Sequence, residues 1–308
     1  MNLTLTVDAW IDENLMFAQQ FSATHIIAET VPRETGARWD PPMLLALRNR
    51  VEKAGLTLLG LDRLPFSLDR TVAGSEGRDA EIRDVCRFVE VCGDAGVPLL
   101  GYTWMRSETG LASRTPTGRG QAFVASSAGS AHGKTSHNDP PWDRLAYFLE
   151  RVLPIAEKTH VRMMYLPTDV FADLPPEHPR MDGVAEWKRL MQTVPSSCHG
   201  LEFRSSAVAA TGADTIDEAR LLSAMGKIFL ITADNITMGS STLSEAFIDE
   251  GIVNLPETLT ACRTAGFDGP IRPGRQPGMT PDTEQGHKAM AMATGYLRAL
   301  LQGLEAIP

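Results

Sequence analysis

Eight short apolar runs, each followed by a stretch with helical periodicity, constrain this chain more than any other feature. The runs are Leu3–Val7, His25–Glu29, Leu56–Leu61, Val97–Tyr102, Val161–Tyr165, Gly200–Phe203, Lys227–Thr232 and Pro270–Arg272. The intervening segments carry helix punctuation. Asp40 is a cap with Pro41 in the first turn and Gly55 past the last, Thr215 is a cap for 216–225, and Asn254 is a cap for 256–265. Repeated strand–helix units predict a closed parallel sheet, an α/β fold that is a single (β/α)8 TIM barrel over 1–308, rather than an open doubly wound sheet. The rhythm breaks once, after the fourth strand, where 105–139 is rich in Gly, Ser and Thr. An insertion that long reads as a lid, a subunit contact or a disordered loop.

The net charge of −9 and the lack of a Lys/Arg run argue against nucleic acid or an anionic membrane as partner. The cysteines, Cys86, Cys92, Cys198 and Cys262, form no C-x-x-C pair and read as reduced thiols in a cytoplasmic protein. Met1–Val7 has no basic leader pattern and no apolar run is long enough to span a bilayer. Neither G-x-G-x-x-G after a strand nor G-x-x-x-x-G-K-[ST] nor H-E-x-x-H occurs. Thr117-Gly118-Arg119-Gly120 lies mid-insertion and is a weak phosphate cradle.

Several stretches, in order, resemble the mannonate dehydratase family of xylose-isomerase-like barrels. They are Arg50 to Leu58, Ala95 to Tyr102, Arg114 to Gly120, which is similar to the family's R-T-x-x-x-x-R-G insertion but one residue shorter, and Gly266 to Pro273, followed by Gly295-Tyr296-Leu297-Arg298 in the last helix. The resemblance spans about residues 1–305 and implies a TIM barrel, a hydro-lyase activity on a sugar acid and a homo-oligomer. It also implies a divalent metal held by two His, one Cys and one Asp at strand ends. This sequence departs at each of those positions, which are occupied by Leu166, Arg204, Thr232 and Gly274, and Arg275 stands where the family has a catalytic His. No metal and no other cofactor is therefore expected. His132 and His137, five apart in the insertion, are a poor substitute ligand pair.

Barrel chemistry sits at the C-terminal rim of the strands. Strand alternation puts Glu202 and Arg204 on one face, which points inward if Arg204 occupies the ligand position that the resemblance implies. Guanidiniums of Arg204, Arg272 and Arg275 could then take over the metal's electrostatic role by holding a carboxylate and offsetting enediolate charge. Asp234, Glu29 and His137 are candidate bases, and Tyr102 or His287 candidate acids. Arg272, Arg275, Arg119, Glu29, Asp62 and Trp104 are candidate substrate contacts, with Asp169, Arg63 and Asn235 also at the rim. Structural roles compete with these: a Glu202–Arg204 ion pair inside the barrel, Asp234 as a cap, Trp104 as a wall, and helix packing for the Met279–Met292 stretch. His25, His160, His178 and His199 read as structural. Isomerisation or epimerisation through the same enediolate, and a non-catalytic sugar-acid-binding barrel, stay open as alternatives.

Overall fold

The computed structural model describes all residues except 31–38, 105–113, 117–118, 129–141, 172–180, 182, 240–241, 285 and 307–308. In chain order the elements are β1 (Asn2–Val7), α1 (Asp12–Gln20), β2 (His25–Ala28), α2 (Pro41–Lys53), β3 (Thr57–Leu61), α3 (Asp69–Ala73), α4 (Arg78–Asp94) and β4 (Leu99–Tyr102). The middle of the chain adds β5 (Arg114–Pro116), β6 (Phe123–Ala128), α5 (Trp142–Thr159), β7 (Arg162–Tyr165), α6 (Val184–Thr193), β8 (His199–Arg204) and α7 (Ser205–Ala210). The remainder is α8 (Thr215–Ala224), β9 (Ile228–Ala233), β10 (Asn235–Met238), β11 (Thr242–Ala246), α9 (Leu255–Thr264), β12 (Pro270–Pro273) and α10 (His287–Glu305). Eight strands close a parallel barrel in the order β1-β12-β9-β8-β7-β4-β3-β2, so every expected barrel strand is present.

The pleat sorts side chains into two cores. Ile27, Leu99, Met164, Leu166, Phe229 and Leu230 fill the barrel interior as one apolar cluster. Their strand neighbours, such as Ile26, Leu100, Tyr102, Tyr165, Leu201 and Phe203, pack outward in the larger cluster beneath the helices. Interior filling raises the floor of the mouth, so polar side chains can gather only at the C-terminal strand ends.

Two cap assignments hold and one moves. Asp40 accepts from Met43 N at 3.0 Å and Asn254 from Glu257 N at 3.3 Å. For α8 the cap is Asp214, one residue before the expected Thr215. Its carboxylate reaches Ile216 N at 2.8 Å and Asp217 N at 3.0 Å, because a carboxylate is the better acceptor for two amide donors. The insertion is also more regular than its composition suggests. Its strands β5 and β6 join β11 and β10, from the connection after β9, in a four-stranded antiparallel sheet ordered β10-β11-β6-β5. Sequence periodicity misses this sheet because its central pairing, β6 with β11, joins segments more than a hundred residues apart. Among the described residues no helix is long and apolar enough to cross a membrane.

Candidate active site

At the C-terminal end of β8 the carboxylate of Glu202 is fully buried between two guanidiniums. Arg272 from β12 donates Nη2 to Glu202 Oε1 at 2.5 Å, and Arg204 Nη2 lies 3.4 Å from Oε2. Thr232 on the intervening strand β9 donates its hydroxyl to Glu202 and accepts from Arg272 Nε at 2.8 Å. Arg272 also bonds Thr6 of β1. Burial opposes the ionised form of Glu202, but Arg204, Arg272 and Thr232 together outweigh it and hold the carboxyl down at about 2. The expected structural pairing of Glu202 with Arg204 is thus present, and Arg272 shares it.

A second pairing continues the ring. Asp169 Oδ2 receives Arg204 Nη1 at 3.5 Å and Arg275 Nη1 at 3.3 Å. Arg275 Nε donates to Glu245 Oε1 at 2.7 Å, and Glu245 Oε2 accepts the backbone N–H of Ala125 at 3.1 Å. Glu245 lies on β11 and Ala125 on β6, so the small antiparallel sheet is tied to the barrel rim through Arg275. Sequence reasoning missed Glu245 and Thr6: Glu245 lies outside the barrel in Thr242–Ala246, which carries no motif, and a lone Thr one residue before the end of β1 carries no signal of its own. The guanidinium side chains of Arg204, Arg272 and Arg275 keep exposures of 17%, 13% and 15%, leaving them a face toward the mouth.

Asp234 follows β9. Its Oδ1 accepts Ser206 N at 2.9 Å and Ser205 Oγ at 3.2 Å, anchoring the start of α7. Burial pushes its carboxyl up, against the opposing pull of Arg204 and the Ser206 amide. Gly274 closes over its other side: a Cβ there would stand 2.6 Å from Asp234 Cβ and 2.8 Å from Oδ2. Asp234 therefore has a structural role, at the start of α7 rather than at the turn or helix after its own strand for which it was weighed, and it is buried there.

Across the mouth, Glu29 extends from the end of β2, two residues beyond inward Ile27, and is partly buried. Asp62, after β3, accepts Thr30 N at 2.8 Å and Arg63 Nε at 3.1 Å. Gly101 makes this approach possible, since a Cβ on it would meet the Asp62 carbonyl oxygen at 1.8 Å. Burial, reinforced by Asp62 and Asp8, pushes the Glu29 carboxyl up, while Arg272 and Arg63 pull the other way.

Arg204, Thr232, Gly274 and Leu166, the residues that the family resemblance sets at metal-ligand positions, lie close together. Arg204 pairs with Thr232 across β8 and β9, Gly274 N donates to Ala233 O at 2.8 Å, and Leu166 ends β7's inward face. They offer two groups without donor atoms, a permanent cation and a hydroxyl already bonded to Glu202 and Arg272. That donor set does not fit a divalent cation, and among the described residues no group of three or more His, Cys, Asp or Glu is arranged to hold one.

Four expected site residues lie elsewhere. Tyr102 faces the helix layer because Leu99 and Gly101 take the inward positions of β4. It is fully buried, 5.8 Å from the Phe148 ring, with its hydroxyl 2.7 Å from His199 Nε2. Trp104 continues that outward face, 5.4 Å from Phe148, and lines no part of the mouth. Arg119 is held outside the barrel by Asp249 at 3.1 Å and by Glu250, because an exposed guanidinium takes the nearest carboxylates. His287 opens α10 and stacks on Phe17 at 4.3 Å with Nε2 3.0 Å from Asn14, so it packs against α1. His137, with His132 and His178, lies outside the described residues.

A family model described as D-mannonate dehydratase (UxuA) matches residues 131–307. Mannonate dehydratase 2 of Halalkalibacterium halodurans is 28% identical, with 77% of this chain and 79% of that protein covered. The mannonate dehydratase of Enterococcus faecalis is 24% identical, covering 81% of each. Among solved structures, mannonate dehydratase from Streptococcus suis serotype 2 superposes with a TM-score of 0.85 at 19% identity, covering 99% of this chain and 93% of that one. An L-ribulose 3-epimerase superposes with a TM-score of 0.65 at 11% identity, covering 99% and 95%. At these identities the structural likenesses establish the barrel fold.

Proposed function

The chain belongs to the D-mannonate dehydratase family, and on that premise we propose that it is a hydro-lyase acting on a sugar acid without a divalent cation at the family's metal position. The observation that supports this reading is the Arg204–Glu202–Arg272 cluster at the barrel mouth, in which Arg204 takes one of the positions that the family resemblance gives to a metal ligand. Dehydration removes a proton next to the substrate carboxylate and places negative charge on an enediolate. Fixed guanidiniums can hold a carboxylate through paired N–H donors and offset the developing charge. Glu202 neutralises one of the two arginines from below, leaving one net positive charge on this trio. Arg275 adds a third guanidinium at the edge, steadied by Glu245 and Asp169.

The test combines elemental metal analysis with turnover of an aldonic-acid panel, on untreated and chelator-treated protein. The expected result is release of a keto-deoxy acid by both samples, with metal far below one per chain. Stoichiometric metal whose removal abolishes turnover would overturn the metal-free part. A product that is an epimer of the substrate would replace elimination by epimerisation, and binding without turnover would favour a sugar-acid-binding barrel.

A further inference from the structure

The carboxylates around the mouth differ in what they are free to do. Glu202 is held by two arginines and Thr232. Asp169 is shared by Arg204 and Arg275, and Glu245 is held by Arg275 and Ala125 N. Asp234 caps α7. Asp62 is taken by Thr30 and Arg63, and Asp8 accepts Trp10 N at 3.0 Å. The Glu29 side chain has no hydrogen bond or ion pair among the described residues. It nevertheless follows β2 two residues beyond inward Ile27, is partly buried, and lies in the field of Arg272, Asp8, Asp62 and Arg63.

Hydrogen bonds to a carboxylate stabilise its ionised form and weaken it as a base. A mouth carboxylate without such bonds, facing an arginine that can steady an oxyanion, is the group suited to move a proton. We propose that Glu29 is the proton-transferring carboxylate of this site. The assignment rests on the dehydratase reading above. In the step it performs, the C–H bond next to the substrate carboxylate breaks and its proton passes to a Glu29 oxygen. The electron pair forms the enediolate, whose charge Arg272 faces. Collapse of the enediolate makes a carbon–carbon double bond as the neighbouring C–O bond breaks. The departing hydroxyl takes the proton back from Glu29 and leaves as water, and the enol left behind ketonises.

The experiment compares wild type with Glu29→Gln and Glu29→Asp on the sugar acid identified by the panel. Glu29→Gln is expected to lower kcat by about 10²- to 10⁴-fold with KM changed little. It should also abolish exchange of the substrate's C–H proton with solvent deuterium, and Glu29→Asp should recover part of both. Because Glu29 must be ionised to accept a proton, wild-type kcat/KM should rise with pH through a limb above the usual carboxylate range, absent in Glu29→Gln. In the substrate-free protein, carboxyl-carbon NMR, assigned by difference against Glu29→Gln, should show the same raised titration. Retention of more than about a tenth of wild-type kcat, or an ordinary carboxylate titration, overturns the Glu29 assignment while the dehydratase reading stands. Wild-type inactivity on every sugar acid it binds overturns the reading itself, and the assignment falls with it.

Discussion

Arg272 and Glu202, 70 positions apart in the chain, meet at 2.5 Å inside the barrel, and Thr232 on the strand between them touches both. The Thr232 hydroxyl accepts from one and donates to the other, so it bridges the two charged groups. Three consecutive strands of the barrel, β8, β9 and β12, thereby share one polar cluster at the depth where the apolar interior ends.

Breaking that cluster should be costly. Glu202→Gln leaves Arg272 and Arg204 without their shared counter-charge and is expected to destabilise the fold by roughly 3–5 kcal/mol, read as a lower urea midpoint. The pH sign follows from the depressed carboxyl. Wild type gains this stabilisation fully above the ordinary 4.5 and loses it as pH falls toward about 2. Glu202→Gln should lack that acid slope, and an unchanged slope would show that other carboxylates carry it.

Tyr102→Phe separates a structural hydroxyl from a chemical one. It removes the contact with His199, so a loss of about 1 kcal/mol in unfolding free energy is expected with kcat unchanged. A large drop in kcat would return Tyr102 to the mechanism. His199 adds a pH signature: burial, with Lys227 nearby, holds it down at about 3, so it stays neutral in the fold. The unfolded chain binds the extra proton below its ordinary 6.5, so stability should fall as pH drops from 6.5 toward 3. His199→Gln should flatten that stretch of a pH series of denaturation midpoints.

Gly274→Ala puts a methyl 2.6 Å from Asp234 Cβ. Asp234 cannot retreat without releasing Ser206 N, so a cost of about 1–3 kcal/mol is expected. A melting temperature equal to wild type would mean that the β12 end shifts freely.

Arg119→Ala tests a residue that sequence places at the substrate and the structure places beside Asp249 and Glu250. Such an exposed pair contributes under about 1 kcal/mol, and KM is expected to stay within about twofold. A tenfold rise in KM would bring Arg119 back over the mouth during turnover.

The inward pairing of Glu202 with Arg204 was legible because strand side chains alternate with a period of two and the two residues are separated by one. Tyr102 and Trp104 looked like mouth residues only because they stand at the C-terminal end of a strand, with no phase assigned to them. One sequence does not say which alternate set of an all-apolar strand such as Leu99–Tyr102 faces inward, since both faces are buried. Asp234 and Arg119 went astray for another reason. A carboxylate or guanidinium at a strand end can serve a substrate, a helix start or another side chain, and only three-dimensional neighbours decide.

Periodicity along the chain, with its Asp40, Asn254 and glycine punctuation, determined the eight barrel strands and most of the helices around them, because local hydrogen bonding and burial leave a local record. The stretches from Arg50 to Leu58, Ala95 to Tyr102 and Gly266 to Pro273 carried the likeness to the family, and Leu166, Arg204, Thr232 and Gly274 carried the expected departure from its metal ligands. Tertiary structure alone decided that Arg272 joins Arg204 on Glu202, that Asp169 and Glu245 hold Arg275, and that Glu29 is left without a hydrogen-bond partner among the described residues. Those are contacts between strands and loops distant in sequence, set by barrel closure and by the competition of every charge for its nearest neighbour in a dry interior.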